Sequence, residues 1–243
     1  MRLCILLLFV AACANVPKDG ELPHWTYSGP AGPDGWATLS PEFSDCEGKN
    51  QSPINLTGFV EAALTPIMIS YQQGGSEIVN NGHTVQVNYV NGSTVEVDGL
   101  TFALKQFHFH SPSENLINGK SFPMEIHFVH ADADGNLAVI AVMVSEGDAN
   151  EALGKIWPLM PAKAGSRNAL TRPFAAEELL PANREYYRFN GSLTTPPCTE
   201  GVRWLVMKSP ITASKRQVTA FAEAMHHPNN RPVQATNARL ILK

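Results

Sequence analysis

The segment Gln106-Phe107-His108-Phe109-His110 alternates polar residues with large aromatics, and a backbone satisfies that pattern in one way. Successive side chains of a strand point to opposite faces, so Phe107 and Phe109 enter a core while Gln106, His108 and His110 share the other face. A sheet carrying this strand must separate two different environments. A second such segment follows at Glu125-Ile126-His127-Phe128-Val129-His130. Here Glu125 and His127 share a face and His130 lies on the opposite one.

If these strands are antiparallel neighbours, His127 joins His108 and His110 in a three-histidine cluster. Three imidazoles can hold a zinc ion and leave its fourth tetrahedral position to water, the open arrangement of a catalytic site. Neutral ligands also leave the full dipositive charge to act on that water. Gln106 precedes His108 by two residues and Glu125 precedes His127 by two, each on its ligand's face. Either can take the second ring N–H of its histidine and so fix the tautomer. A lone strand histidine is more often a hydrogen-bonded core or surface residue, and His-x-His recurs by chance. Spacing alone leaves both readings open.

The rest of the chain is compatible with one β-rich domain. Single β domains reach this length, and 44% apolar against 16% charged residues supplies a sizeable core. A formal charge of −4 offers no basic footprint for nucleic acid. No stretch beyond the N-terminus reaches the roughly 18 apolar residues of a membrane span. Alternation predicts strands over 84–90 and 93–98, with Asn91-Gly92 between them as a hairpin turn. Further strands are expected at 100–110, 124–131, 137–144 and 202–208. Helices are expected at 151–160 and 214–226, the second opened by Ser214 and Gln217 at capping-box spacing. Residues 18–49, rich in Gly, Pro and aromatics, read as ordered coil packed on the body.

Residues 1–14 read as a secretory leader: Met1-Arg2, an apolar run over 3–11, then small residues. Val10-Ala11-Ala12-Cys13 resembles a lipobox, which would place a lipid anchor on Cys13, whereas Ala12-Cys13-Ala14 fits ordinary cleavage. Either way the folded domain is residues 18–243, exported to the periplasm or beyond. Outside the leader only Cys46 and Cys198 remain. A lone pair in an exported chain reads as a disulfide, with two separate buried thiols as the alternative.

Several motifs together resemble the α-class carbonic anhydrases, of the bacterial branch. They are His24-Trp25-x-Tyr27, Asn50-Gln51-Ser52-Pro53-Ile54, Asn81-Gly82-His83, Gln106–His110 with Ser111-Pro112-Ser113-Glu114, Glu125-x-His127-x-x-His130, residues 191–204 from Gly191 to Trp204, and Asn230-Arg231-Pro232-x-Gln234. They run in order over nearly the whole mature chain. The resemblance implies a mostly β (α+β) single domain: a large, mainly antiparallel twisted sheet, short peripheral helices and a conical cleft with zinc at its base. It implies one Zn2+ per chain on His108, His110 and His127. The implied reaction is reversible hydration of CO2 to bicarbonate and a proton by zinc-bound hydroxide. Partners are then CO2, bicarbonate and buffer, with no nucleic acid, for a monomer or homodimer.

By the same resemblance, Thr194 orients the nucleophile and is itself oriented by Glu114. His83 is the proton shuttle and Tyr27 helps order the water between it and the metal. Val129, Val139, Leu193, Val202 and Trp204 form the apolar CO2 wall, with Thr195 beside them. His130 is structural, and His24, His226 and His227 take no metal role. Asn115 stands where the family usually has a histidine, which puts fine tuning in question and not the activity.

Overall fold

A computed structural model describes residues 22–172 and 174–243. The leader, with Cys13 and the cleavage alternatives, lies outside the described residues. The chain forms strands β1 (Asn55–Leu56), β2 (Met68–Ser70), β3 (Gly75–Asn80), β4 (Val85–Tyr89), β5 (Thr94–Val97), β6 (Leu100–His110) and β7 (Leu116–Ile117). These are followed by β8 (Met124–Ala131), β9 (Leu137–Glu146), β10 (Ser166–Ala169), β11 (Tyr186–Ser192), β12 (Glu200–Met207) and β13 (Ile211–Ala213). Three short α-helices join them: α1 (Trp36–Leu39), α2 (Glu151–Ile156) and α3 (Lys215–Met225). β1 and β7 form a small parallel pair, and the other strands form one sheet whose spine runs β10-β3-β4-β6-β8-β9-β12-β11. Pairing is antiparallel except where β12 and β13 meet β9, so the sheet is mixed.

Two expectations are corrected. Asn91-Gly92 does not close a hairpin: β4 and β5 each pair with β6, one beyond the other along its length. The tight turn is at Asp98-Gly99, between β5 and β6, where Val97 pairs with Leu100. Both turn residues have positive φ, 54° and 73°, as a type I′ turn requires. At the earlier site only Gly92 does. The helix expected at 151–160 is α at 151–156 and becomes a 3₁₀ turn at Trp157–Leu159. α3 is capped as expected: Ser214 and Gln217 form the capping box, and His226 ends the helix in the left-handed conformation.

β6 carries the feature that sets the site. Phe102 and Leu104 lie in the main core, and so do Phe107 and Phe109, although the first two are even-numbered and the last two odd. The phase change is a β-bulge: Leu104 pairs with His130 and Gln106 with the adjacent Val129. The additional residue, Lys105, is exposed. Were the strand regular through Lys105, the even positions would continue into the core and carry His108 and His110 with them. β8 needs no such device: Met124, Ile126 and Phe128 join the same core, which leaves Glu125, His127 and Val129 on the other face.

A second apolar cluster, containing Val139, Val202 and Trp204, is distinct from this core. A third gathers Trp36, Phe43, Cys46 and Cys198. Cys46 and Cys198 are bonded, with Cα atoms 4.9 Å apart across 152 positions of sequence, so the disulfide reading holds. In the chain-entropy model a loop of this length could contribute up to ~5 kcal/mol. The 18–49 region, from residue 22 on, is less irregular than expected, since it contains α1 and two 3₁₀ turns. Among the described residues no helix is long and apolar enough to cross a membrane.

His130 packs on the core side, as its parity requires. Its Nδ1–H donates to the Ala138 carbonyl at 3.1 Å, so Nε2 accepts from the Tyr71 hydroxyl at 2.6 Å. Burial lowers its pKa to about 4, against the pull of backbone carbonyls.

Two predictions follow from this architecture. Deleting Lys105 should remove the bulge, so that Leu104 and Gln106 alternate directly, and should keep His108 and His110 on the cleft face with metal binding retained; Lys105→Ala should leave metal content unchanged and stability within about 0.5 kcal/mol. Metal analysis of the two proteins decides it; a folded deletion variant that binds no metal would refute the role given to the bulge. The second concerns acid. The unfolded state, with His130 near its ordinary pKa, takes up a proton that the folded state refuses until about pH 4. Stability is therefore lost as pH falls from about 6.5 toward 4. Between pH 7 and 4.5 the wild type should lose about 2.5 kcal/mol more than His130→Gln, as read by urea denaturation. Equal losses would mean that His130 is not held neutral.

Candidate metal centre

Register brings the three histidines together. β6 and β8 pair with His108 directly opposite His127. Ring centroids are 4.9 Å apart for His108 and His110, 5.3 Å for His108 and His127, and 4.6 Å for His110 and His127. One nitrogen from each ring lies within 4.8 Å of the others. His110 and His127 are buried, and His108 is partly open to the cleft.

The outward-facing ring nitrogens identify which ones remain free. His108 Nδ1–H donates to Gln106 Oε1 at 2.9 Å, as the spacing predicts. His127 Nε2–H donates to Glu125 Oε1 at 2.8 Å. His110 Nδ1–H donates to the Asn229 carbonyl at 2.7 Å, a partner that no sequence spacing indicates. Nε2 of His108, Nε2 of His110 and Nδ1 of His127 are therefore the lone pairs left to bind a ligand. Burial first, then neighbouring imidazoles, lowers His108 and His127 well below the ordinary histidine range. Burial lowers His110 as well, opposed by Asn229 and Glu125. All three are neutral donors at pH 7, the state that metal binding requires.

Glu125 is itself held in place. Its Oε2 accepts the backbone N–H groups of Glu114 and Asn115, both at 2.8 Å, and its Oε1 accepts Asn115 Nδ2 at 2.7 Å. Asn115, the departure noted in the sequence, is fully buried and so still donates to the carboxylate that steers His127. Burial raises Glu125, and these hydrogen bonds act against the rise.

Glu114 faces the free nitrogens. Its Oε2 is 3.4 Å from His110 Nε2 and 3.8 Å from His127 Nδ1, while Oε1 accepts the Arg231 N–H at 2.8 Å. Burial pushes Glu114 up to about 8, and the Arg231 amide and Thr194 side chain favour its ionised form. Glu114 Oε2 and His110 Nε2 are both buried without a hydrogen-bond partner. A buried imidazole lone pair left unpartnered beside two others fits a cation better than any polar neighbour present.

A family model for eukaryotic-type carbonic anhydrase matches residues 31–243. A carbonic anhydrase of Pectobacterium atrosepticum is 50% identical over 238 residues, covering 98% of this chain and 97% of its own. The Neisseria gonorrhoeae carbonic anhydrase is 47% identical over 244 residues, covering 100% and 96%. The α-carbonic anhydrase of Thermovibrio ammonificans, solved with sulfanilamide, superposes with a TM-score of 0.90 at 49% identity, covering 90% of this chain and 99% of that one. The chain belongs to the α-class carbonic anhydrase family.

Beside the triad, this carbonic anhydrase has an apolar wall. Val139, Val202 and Trp204 share one buried cluster with partly buried Val129 and Leu193 packed on it. Trp204 meets the His127 ring edge-on at 4.9 Å. Thr194 is buried and Thr195 partly exposed in the same turn. His83 is partly exposed and stacked on Trp25 at 3.7 Å and 11°. Tyr27 is 6.5 Å from it, with a hydroxyl kept protonated by burial and by Glu114.

Two positioning residues escaped the sequence reading. Asn229, fully buried, holds His110 through its carbonyl, while its Nδ2 donates to the carbonyls of His83 and Phe109 and its Oδ1 accepts Ser111 N–H. Arg231 donates to Gln51 Oε1 and to the carbonyls of Ser52 and Cys46, and its own N–H fixes Glu114. The only sequence signal was the Asn230-Arg231-Pro232 motif, which carried no stated role.

Replacing His108, His110 or His127 with Ala should remove tight metal binding from this carbonic anhydrase. His130→Ala should retain roughly one ion per chain, since that ring points to the core. Elemental analysis after dialysis is the test, and a full metal complement in His127→Ala would overturn the ligand set.

Proposed function

We propose that the protein catalyses the reversible hydration of CO2 to bicarbonate and a proton with a single zinc ion on His108, His110 and His127. The observation that carries this reading is the convergence of three neutral imidazole lone pairs beside a dry wall. Carbonic anhydrase is itself the reference case for such a site, in which zinc supplies Lewis acidity that yields hydroxide from water near neutral pH.

The chain's own residues do the rest. Gln106, Glu125 and the Asn229 carbonyl hold the three rings in their tautomers. Thr194 accepts a hydrogen bond from the nucleophile and donates its own hydroxyl hydrogen bond to Glu114. An ionised carboxylate only accepts, so it fixes the direction of that hydroxyl. Burial opposes ionisation of Glu114, and a dication at the triad would restore it. CO2, small and apolar, rests against Val129, Val139, Leu193, Val202 and Trp204, next to Thr195, where no polar group competes with the nucleophile for it. His83 takes the released proton through water ordered by Tyr27. Its stacked position on Trp25 is a poor one for that task, because burial and then His24 and His227 lower its pKa to about 4. The ring must move off Trp25 toward water to regain its ordinary basicity.

The Cys46–Cys198 disulfide supports export, with the leader removed, either through residue 14 or just before a lipid-modified Cys13, and the mature chain outside the cytoplasm. An intact mass of the mature protein separates a lipid-modified Cys13 from a chain that begins at Asn15.

Stopped-flow CO2 hydration with and without chelator is the direct test. Turnover should vanish with the metal and return with zinc. Thr194→Ala should lower activity by roughly 10²-fold without loss of zinc, the scale of one oriented hydrogen bond at a transition state. Glu114→Gln should act in the same direction, because an amide can donate and so misdirects the Thr194 hydroxyl. Wild-type rates in both variants would remove the orientation argument.

A further inference from the structure

Around Tyr27 and His83 the structure gathers more imidazole than one shuttle needs. His24 lies 5.9 Å from His83 between ring centroids. Tyr27 stands 6.5 Å from His83 and 6.0 Å from His227, so its ring neighbours both. His83 has one face covered by Trp25. His227 is placed differently. It follows α3 on an exposed loop, and its Nδ1–H donates to the Pro228 carbonyl at 2.9 Å. A carbonyl can only accept, so this bond fixes the tautomer and leaves Nε2 as a lone pair available to take a proton. The same ring lines an open pocket of about 530 Å³ together with Thr26, Tyr27, Asp34 and Asn230. That space admits a small buffer molecule. The pocket adjoins Tyr27, the residue that also borders His83.

We propose that His227 is a second proton acceptor beside Tyr27, working in parallel with His83 and discharging to buffer in the adjoining pocket. The proposal rests on the hydration reading given above. Each hydration event releases one proton. It passes through water to His227 Nε2, forming the second N–H bond of an imidazolium. A buffer base then removes it and restores the neutral ring, so no electrons are exchanged and the enzyme is unchanged after a cycle. Tyr27 contributes its hydroxyl as a donor and acceptor to the intervening water and not as a base, since burial keeps it protonated. The other titratable groups facing this route are His24, His83 and Asp34, with His226 and Lys163 beside His227 in a second pocket, and a pH profile of kcat reports their combined titration.

The test is stopped-flow hydration by the intact zinc enzyme at low and high buffer, for His227→Ala, His227→Gln, His83→Ala and the double variant His83→Ala/His227→Ala. Proton transfer limits kcat and leaves CO2 attack, read in kcat/KM, untouched. His227→Ala should lower kcat at low buffer by about threefold. The double variant should fall by a further factor of about ten below His83→Ala, less than the roughly 10²–10⁴-fold that a dedicated general base contributes. His227→Gln should match His227→Ala, and imidazole-type buffers should restore both. If the His227 variants equal their parents at every buffer concentration, the proposal fails and the hydration reading stands. A parallel drop in kcat and kcat/KM would also overturn it, since His227 would then act on folding or on the chemical step. If the wild type hydrates no CO2, the hydration reading itself fails.

Discussion

The site depends on one change of phase in one strand. The bulge at Lys105 reverses the facing of β6, so that Phe102, Leu104, Phe107 and Phe109 all reach the main core. Four buried aromatic and aliphatic side chains outweigh any preference of two histidines, at about 1.5–3 kcal/mol for each side chain withdrawn from water. The hydrophobic demand on one face thus sets the direction of His108 and His110 on the other. β8 meets them in register, and the three ring nitrogens follow from pairing alone. Polar residues in the cleft are the passengers of an apolar arrangement.

What the pairing leaves undetermined, a shell of buried hydrogen bonds supplies. Gln106, Glu125 and the Asn229 carbonyl each occupy one ring nitrogen and so decide which nitrogen is left. Asn115 and the backbone of Glu114 restrain Glu125 in turn. Buried networks of this kind hold one geometry because each member would be costly to leave unpaired. Two of the buried atoms that lack partners, His110 Nε2 and Glu114 Oε2, face each other at 3.4 Å and mark where the network has room for something other than protein.

Much of this was legible in the sequence, because strands expose their parity. The shared face of His108 and His110, the partners Gln106 and Glu125, the opposite facing of His130, the disulfide and the α3 capping box all rest on local spacing or on cysteine count, whereas the choice of the three histidines as a metal set rested on the family resemblance. The Asn91-Gly92 turn misled because two short strands sharing one long partner show the same alternation as a hairpin. Asp98-Gly99 was the better turn signal, and only the pairing partner distinguishes the two. The bulge is invisible to a parity reading that starts at Gln106. Asn229 and Arg231 act through backbone groups and contacts more than a hundred residues away in sequence, which no local pattern encodes.

Those distant contacts impose an order in time. Arg231 reaches back to Gln51, Ser52 and Cys46, and Asn229 to His83, Phe109 and Ser111. Strands β6 and β8 can pair as soon as both have been synthesised, but Glu114 and His110 gain their last restraints only when the C-terminal stretch arrives. Non-local closures of this sort are slow steps, made after local structure has formed. A chain emerging from the ribosome, or threaded through a translocation channel, therefore carries an unfinished site until its final segment is free to fold back.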